Sequence, residues 1–345
     1  MNKKKTLCIV LLLVSFLLVH VQPVWAIGTV YVRSDGSIEG AGLKLEGGVY
    51  VFTGDIYGQI VIEKDGVIVD GSGYVLHGMS EGGIFLENRS GIVLRSLEVV
   101  DAPFGITLLG GRNNAISKSN CSIHLKDSFS NTVFGNERIN LLFSNSSKNI
   151  VMENNLTDTF GYGFKLQSAS NENSIFGNNI TDSISGISFH GASNNNNIYE
   201  NNIVDNADGL IFYNSYNNSI YDNVIAFNSN SGIFFRGSSE NKFFRNDIVE
   251  NSVPVICWYG TNIWDNGSVG NYWSDYNGTD NNLDGIGDEP HYILTLQFLT
   301  GEDYDTDNYP LMNWFIIPEF PSWSLLLIFL ITSLMIILAK KKIGG

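Results

Sequence analysis

Along most of this chain the apolar residues come in short alternating groups, apolar-x-apolar, closed on both sides by asparagine, serine or glycine. The frame Asn-x-apolar-x-x-Asn returns as NTVFGN at 131, NIVMEN at 149, NSIFGN at 173, NNIYEN at 196, NSIYDN at 218 and NKFFRN at 241. Its start-to-start steps are 18, 24, 23, 22 and 23 residues. A second group follows Gly163, Gly186, Gly209 and Gly232, each 23 residues after the last, as FKL, ISF, LIF and IFF. Period-two alternation bounded by turn formers predicts short strands. Asparagine and glycine at this density exclude helices of useful length.

Strands this short cannot bury a core alone, so the period predicts a solenoid in which each coil pairs with the next at about 4.8 Å. The expected fold is all-β: a right-handed, single-stranded parallel β-helix of about ten coils. Its recurring asparagines have a structural use. Asn136, Asn154, Asn178, Asn201, Asn223 and Asn246 can donate and accept along the stacking axis and form a ladder inside a turn.

The ends break the pattern. Residues 1–26 carry Lys3 to Lys5, an apolar stretch and Ala26, the layout of a secretory signal peptide. Ser322 to Ala339 is uncharged and is followed by Lys340 to Lys342, enough for a membrane helix with the body outside. The expected order is signal peptide 1–26, N-terminal β cap 27–66, β-helix 67–266, C-terminal cap 267–315, then sorting motif, transmembrane helix and basic stop over 316–345. Without the six terminal lysines the chain has 14 basic and 35 acidic residues, a charge of about −21. That excludes nucleic acid as a partner and fits cations, neutral polymers or simple solubility. Apart from Cys8 in the leader only Cys121 and Cys257 remain, so neither a disulfide framework nor a zinc site is indicated.

Three groups of residues carry candidate chemistry. If Ile187 and Phe189 point inward, Ser188 and His190 point outward, and the outward column runs on to Tyr213, Arg236 and Trp258 in successive coils. Rings and donors spaced this way suit a sugar polymer, and from Thr107 to Trp258 the column has no Asp or Glu for bond cleavage. A second column, Asp158, Asp182 and Asp205, stacks carboxylates in a turn, where they either form a candidate catalytic group or cap backbone amides. Third, DNNLDGIGD places Asp280, Asn282, Asp284 and Asp288 at alternate spacing with Gly285 at the bend, the start of a Ca²⁺ loop without the closing glutamate of an EF-hand. Eight Asn-x-Ser/Thr sequons, at Asn88, Asn120, Asn145, Asn155, Asn179, Asn217, Asn266 and Asn277, would accept glycans on an exported chain.

Residues 28–321 resemble the NosD-type periplasmic copper-binding β-helix family, of the carbohydrate-binding and sugar-hydrolase type. The stretches "SGISF", "NNNNIYENNIV" and "DGLIF" carry the likeness, together with "TGDIYGQIVIEKDGVIVDGSGYVLHG" before them and "GNYWSDYNGTDNNLDGIGDEP" after. The flanks are similar to those of archaeal surface members, and "IPEFPSW" resembles a PEF-type surface-sorting signal. The resemblance implies copper as a ligand and, through lyases of this fold, Ca²⁺ on carboxylates such as those near Asp182. Copper sites need grouped Cys, Met or His. Here His77, His124, His190, His291, Met79, Met152 and Met312 are scattered, so copper is not supported by residue clustering. The expected function is a surface-anchored protein that binds an extracellular polysaccharide or envelope glycan, or is structural there. The alternatives are a carbohydrate lyase or hydrolase, and a copper-handling accessory.

Overall fold

The computed structural model describes residues 26–78, 82–156, 161–297 and 301–314. The expected membrane segment, the sorting motif, Asp158, Met79 and nearly all of the expected signal peptide lie outside these residues. Among the described residues every regular element is a strand, and no helix is long and apolar enough to cross a membrane.

The strands stack into the expected parallel β-helix. A 14-stranded sheet runs the length of the molecule, and an 11-stranded sheet forms a second face. The long sheet is parallel except at its two ends, where Ile38–Glu39 and Gly301–Asp307 pair antiparallel with their neighbours. In the second sheet only Leu43–Glu46 is antiparallel, so the coil count lies close to ten. Residues 27–66, expected to cap the helix, also pair in parallel with it: Val30–Val32 lies beside Ile60–Ile62, and Val49–Phe52 beside Ile68–Asp70.

The third face is split into a four-stranded sheet and a six-stranded sheet. The cause is coil length. Between Asn114 and Asn149 one coil takes 17 or 18 residues, whereas from Asn149 to Asn173 it takes 24. The short coils turn the corner without a third strand.

Inside, alternate side chains of the strands are fully buried, and Phe189, Phe212 and Phe235 stack on one another at 4.7 and 5.0 Å. The glycines at the start of the long-sheet strands are fixed by backbone approach. A Cβ on Gly209 would meet the carbonyl oxygen of Gly232 at 2.5 Å and Asn228 Nδ2 at 2.9 Å. Gly209→Ala is therefore expected to destabilise by about 1–3 kcal/mol, through overpacking against backbone that cannot move aside. Thermal melts of wild type and variant check this. An unchanged Tm would mean that the coils are less closely packed than described.

Two asparagine ladders run through the turns. In one, Nδ2 of each residue donates to Oδ1 of the next through Asn136, Asn154, Asn178, Asn201, Asn223, Asn246 and Asn271, at 2.8 to 3.0 Å. The other runs from Asn114 through Asn131, Asn149, Asn173, Asn196, Asn218 and Asn241 to Asn262 at 2.9 to 3.1 Å. Every amide points the same way, so each ladder ends in donors. Both ends meet carboxylates of the last strand. Asn262 N–H donates to Asp305 Oδ2 at 2.8 Å, and Asn271 N–H donates to Asp307 Oδ2 at 2.8 Å. The indoles of Trp264 and Trp273 donate to the same two oxygens, at 3.2 and 2.9 Å. A carboxylate only accepts, so it can end a ladder that an amide would have to continue.

Candidate functional site

The outward face of the long sheet carries the first candidate group in the expected register. Cα partners place His190 beside Tyr213, Tyr213 beside Arg236, and Arg236 beside Trp258. The same column continues towards the N-terminus through Gln167, Ser144 and Lys126. A parallel column two residues earlier holds His124, Leu142, Lys165, Ser188, Ile211 and Phe234. Strand alternation aims all of these away from the core. Ser188 and Ile211 are nevertheless buried, at 0% and 7% exposure, because the longer side chains beside them close over them.

Ring orientation separates this strip from the other aromatic row on the surface. On the second sheet Phe176, Tyr199, Tyr221 and Phe244 stack with interplanar angles of 10°, 2° and 8°, each covering the next. Their faces are spent on one another. In the strip His190 and Tyr213 are tilted by 40°, Tyr213 and Phe234 by 52°, and Phe234 and Trp258 by 68°. Tilted rings leave face area open, and Trp258 is 41% exposed.

Around His190 the strip is partly dry. Burial first, and then the charge of Lys165, push its imidazole down to about 4, so it is neutral at pH 7. Its Nε2 lies 2.6 Å from Ser188 Oγ. A neutral imidazole offers one acceptor and one donor, so the ring has one nitrogen left for a ligand hydroxyl. Lys165 Nζ sits 4.6 Å over the Tyr162 ring. Further along, Ser144 Oγ joins His124 Nε2 at 3.2 Å to Gln167 Nε2 at 3.1 Å.

Two carboxylates on this face were missed by tracing the column only from Thr107. Glu87 is the Cα partner of Leu109, and Glu63 follows Ile62, itself partner of Leu86. The frames IVIE at 60 and IFLE at 84 carry the signal. Both line a shallow cavity of about 180 Å³ with Val61, Ile62, Phe85 and Arg89. Arg33 Nη1 holds Glu63 at 2.8 Å.

The other two candidate groups are not assembled in the same way. Asp182 and Asp205 are exposed turn residues with φ of 55° and 57°, and Phe227 and Glu250 continue that left-handed row. Asp and Asn tolerate this backbone, which accounts for the column. Thr181 Oγ1 donates to Asp182 at 3.2 Å. In the 280–288 loop the carboxylates are turned to the loop's own donors. Asp280 accepts from the amides of Asp284 and Gly285, Asp284 from that of Ile286, and Asp288 from Asn281. Asn282 Oδ1 accepts from the Asp284 amide as well. Among the described residues no three His, Cys, Asp or Glu side chains are grouped to hold a metal ion.

Cys121 and Cys257 are free and buried, and burial pushes both thiols up to about 12. His77 stacks on Tyr57 and faces Asp101, and His291 lies against Trp273 and 3.8 Å from Asp275. Among the described residues no group of three His, Cys, Asp or Glu side chains offers copper a site, and Met79, two residues from His77, lies outside them.

The model of one protein family, described as periplasmic copper-binding protein (NosD), matches residues 57–278. No curated protein matches the chain. Solved structures are similar at low identity. The periplasmic alginate epimerase AlgG is 16% identical with a TM-score of 0.35, over 71% of this chain and 72% of that one. The Dettilon tailspike protein is 14% identical with a TM-score of 0.45, over 65% and 58%. The A-module of the Azotobacter vinelandii mannuronan C-5 epimerase AlgE4 is 13% identical with a TM-score of 0.31, over 70% and 86%.

Proposed function

The chain belongs to the NosD family, and on that footing we propose that it is an exported polysaccharide-binding protein that holds an extended glycan along the strip His190, Tyr213, Arg236 and Trp258. The observation that carries this reading is the open tilt of the rings of the strip and of Phe234 in the column beside it, against the closed stack on the second sheet. Coils about 4.8 Å apart match the length of one sugar ring, so a polymer along the axis meets a new side chain at each ring. The C–H faces of sugars pack on rings, and His190, Arg236 and Ser144 supply hydrogen bonds to hydroxyls. Copper is given no role in this reading, because its donors are not clustered in the sequence. Membrane anchoring by 316–345, with the body outside, belongs to the same proposal and rests on the sequence pattern.

Binding without turnover is the expected behaviour. Trp258→Ala should weaken glycan binding about tenfold, the loss of one exposed stacking contact. Asp182→Asn should leave binding unchanged, because the turn lies off the strip. Calorimetric titration of the three proteins reads this. A second reading, hydrolysis, is favoured by the cavity beside Glu63 and Glu87. Release of new reducing ends by wild type, abolished in Glu87→Gln, would replace the binding reading with that one.

A further inference from the structure

The strip's charge runs against that of the chain. Acidic residues outnumber basic ones 35 to 20, and off the strip six of the eleven described basic residues are paired. Arg33, Lys44, Arg89, Arg95, Lys148 and Arg245 each have a carboxylate within ion-pair distance. Lys126, Lys165 and Arg236 have none among the described residues, yet they share one face and point the same way. From Thr107 to Trp258 neither outward column holds an acidic side chain. The nearest acids stand at its margins and are occupied. Asp127 accepts from Asn145 Nδ2 at 2.7 Å, and Asp208 accepts from Asn230 Nδ2 at 2.7 Å and Ser231 Oγ at 2.5 Å.

Resting on the polysaccharide reading, we infer that the strip selects anionic glycans, polymers with a carboxylate or sulfate on their rings, over neutral ones. Lys165 and Arg236 stand three coils apart, about 14 Å, and so would meet anions on every third ring. A polymer charged on each ring satisfies that spacing in any register, whereas a neutral polymer leaves both cations without counterions. The guanidinium also takes a carboxylate or sulfate through two parallel hydrogen bonds, which a hydroxyl cannot match. The fully buried Ser188 beneath the site shows that water is already thin there, and this strengthens each charge contact. The chain's excess of acidic residues repels a polyanion elsewhere and so favours this cationic track.

The test uses the purified protein with three probes of similar length: polygalacturonate, dextran sulfate and an unbranched neutral β-glucan. At low salt the anionic probes should bind at least about tenfold tighter than the neutral one, the worth of a charge-assisted contact. That advantage should shrink at roughly 0.5 M salt. Lys165→Gln with Arg236→Gln should remove the preference by lowering anionic affinity at least about tenfold more than neutral affinity, and Lys118→Gln, a lysine off the strip, should change nothing. Whichever anionic probe binds tighter names the anion. Equal affinity for charged and neutral probes, a preference that survives the double substitution, or an equal loss in Lys118→Gln would overturn the inference and leave glycan binding standing. Binding to none of the three would overturn the polysaccharide reading itself.

Discussion

Asn201→Ala is expected to destabilise the protein by about 3–5 kcal/mol, among the largest effects of any single substitution in the solenoid. Asn201 is fully buried at the middle of its ladder. Its Oδ1 accepts from both the backbone N–H and Nδ2 of Asn178, at 3.1 and 2.9 Å. Its own Nδ2 reaches Ile175 O, Tyr199 O and Asn223 Oδ1 at 2.9 to 3.0 Å. Alanine strands the buried Asn178 N–H and takes one partner each from Asn178 Nδ2, Ile175 O, Tyr199 O and Asn223 Oδ1, with a cavity left beside them. Asn201→Asp should be worse, because a carboxylate cannot donate to Asn223 and adds a buried charge. In a solenoid the break falls between neighbouring coils, so the melt should broaden or split as well as shift. A Tm within a degree or two of wild type for Asn201→Ala would show that the ladder is ornament.

The second large effect depends on pH. Burial holds the Asp307 carboxyl up at about 6, despite the donors that favour its charged form. A free aspartate titrates near ~4. Between those values the folded protein keeps a proton that the unfolded chain has released. The stabilisation this gives is complete below pH ~4 and is lost as pH rises through 6. Asp307→Asn keeps an acceptor for the ladder but does not titrate. Its stability relative to wild type should therefore rise by about 2–3 kcal/mol between pH 4 and pH 7. Taking the difference between the two proteins removes the contribution of the other carboxylates. A difference that stays flat with pH would contradict the buried terminus. Asp307→Ala should destabilise at every pH, since it strands the amides of Asn271 and Tyr309 and the indole of Trp273.

Much of this architecture is readable in the sequence because a solenoid writes its contacts at a constant spacing. The ladder from Asn136 to Asn246 and the register of His190, Tyr213, Arg236 and Trp258 follow from the period alone. The companion ladder from Asn114 to Asn262 uses the first asparagine of the same frame and was equally available. Its end was not. Asp305 and Asp307 lie in an antiparallel pair outside the repeat, so nothing periodic ties them to Asn262 and Asn271. The tilt that opens the strip's rings was also hidden, since it depends on which bulky side chain stands in the neighbouring column. The Asp182 and Asp205 column coincides with a left-handed turn that Asp, Phe and Glu all occupy, so the period there also records backbone conformation.

The most direct test of glycan binding along the axis is affinity against oligomer length. Lys126 to Trp258 spans six coil steps, about 29 Å, or some six sugar rings. Titration of the purified protein with oligosaccharides of two to ten rings should give an affinity that climbs with each ring to about six and then levels off, as contacts add along one rigid track. An affinity already at its limit with two or three rings, with no further gain, would place the ligand in a single pocket and contradict the account.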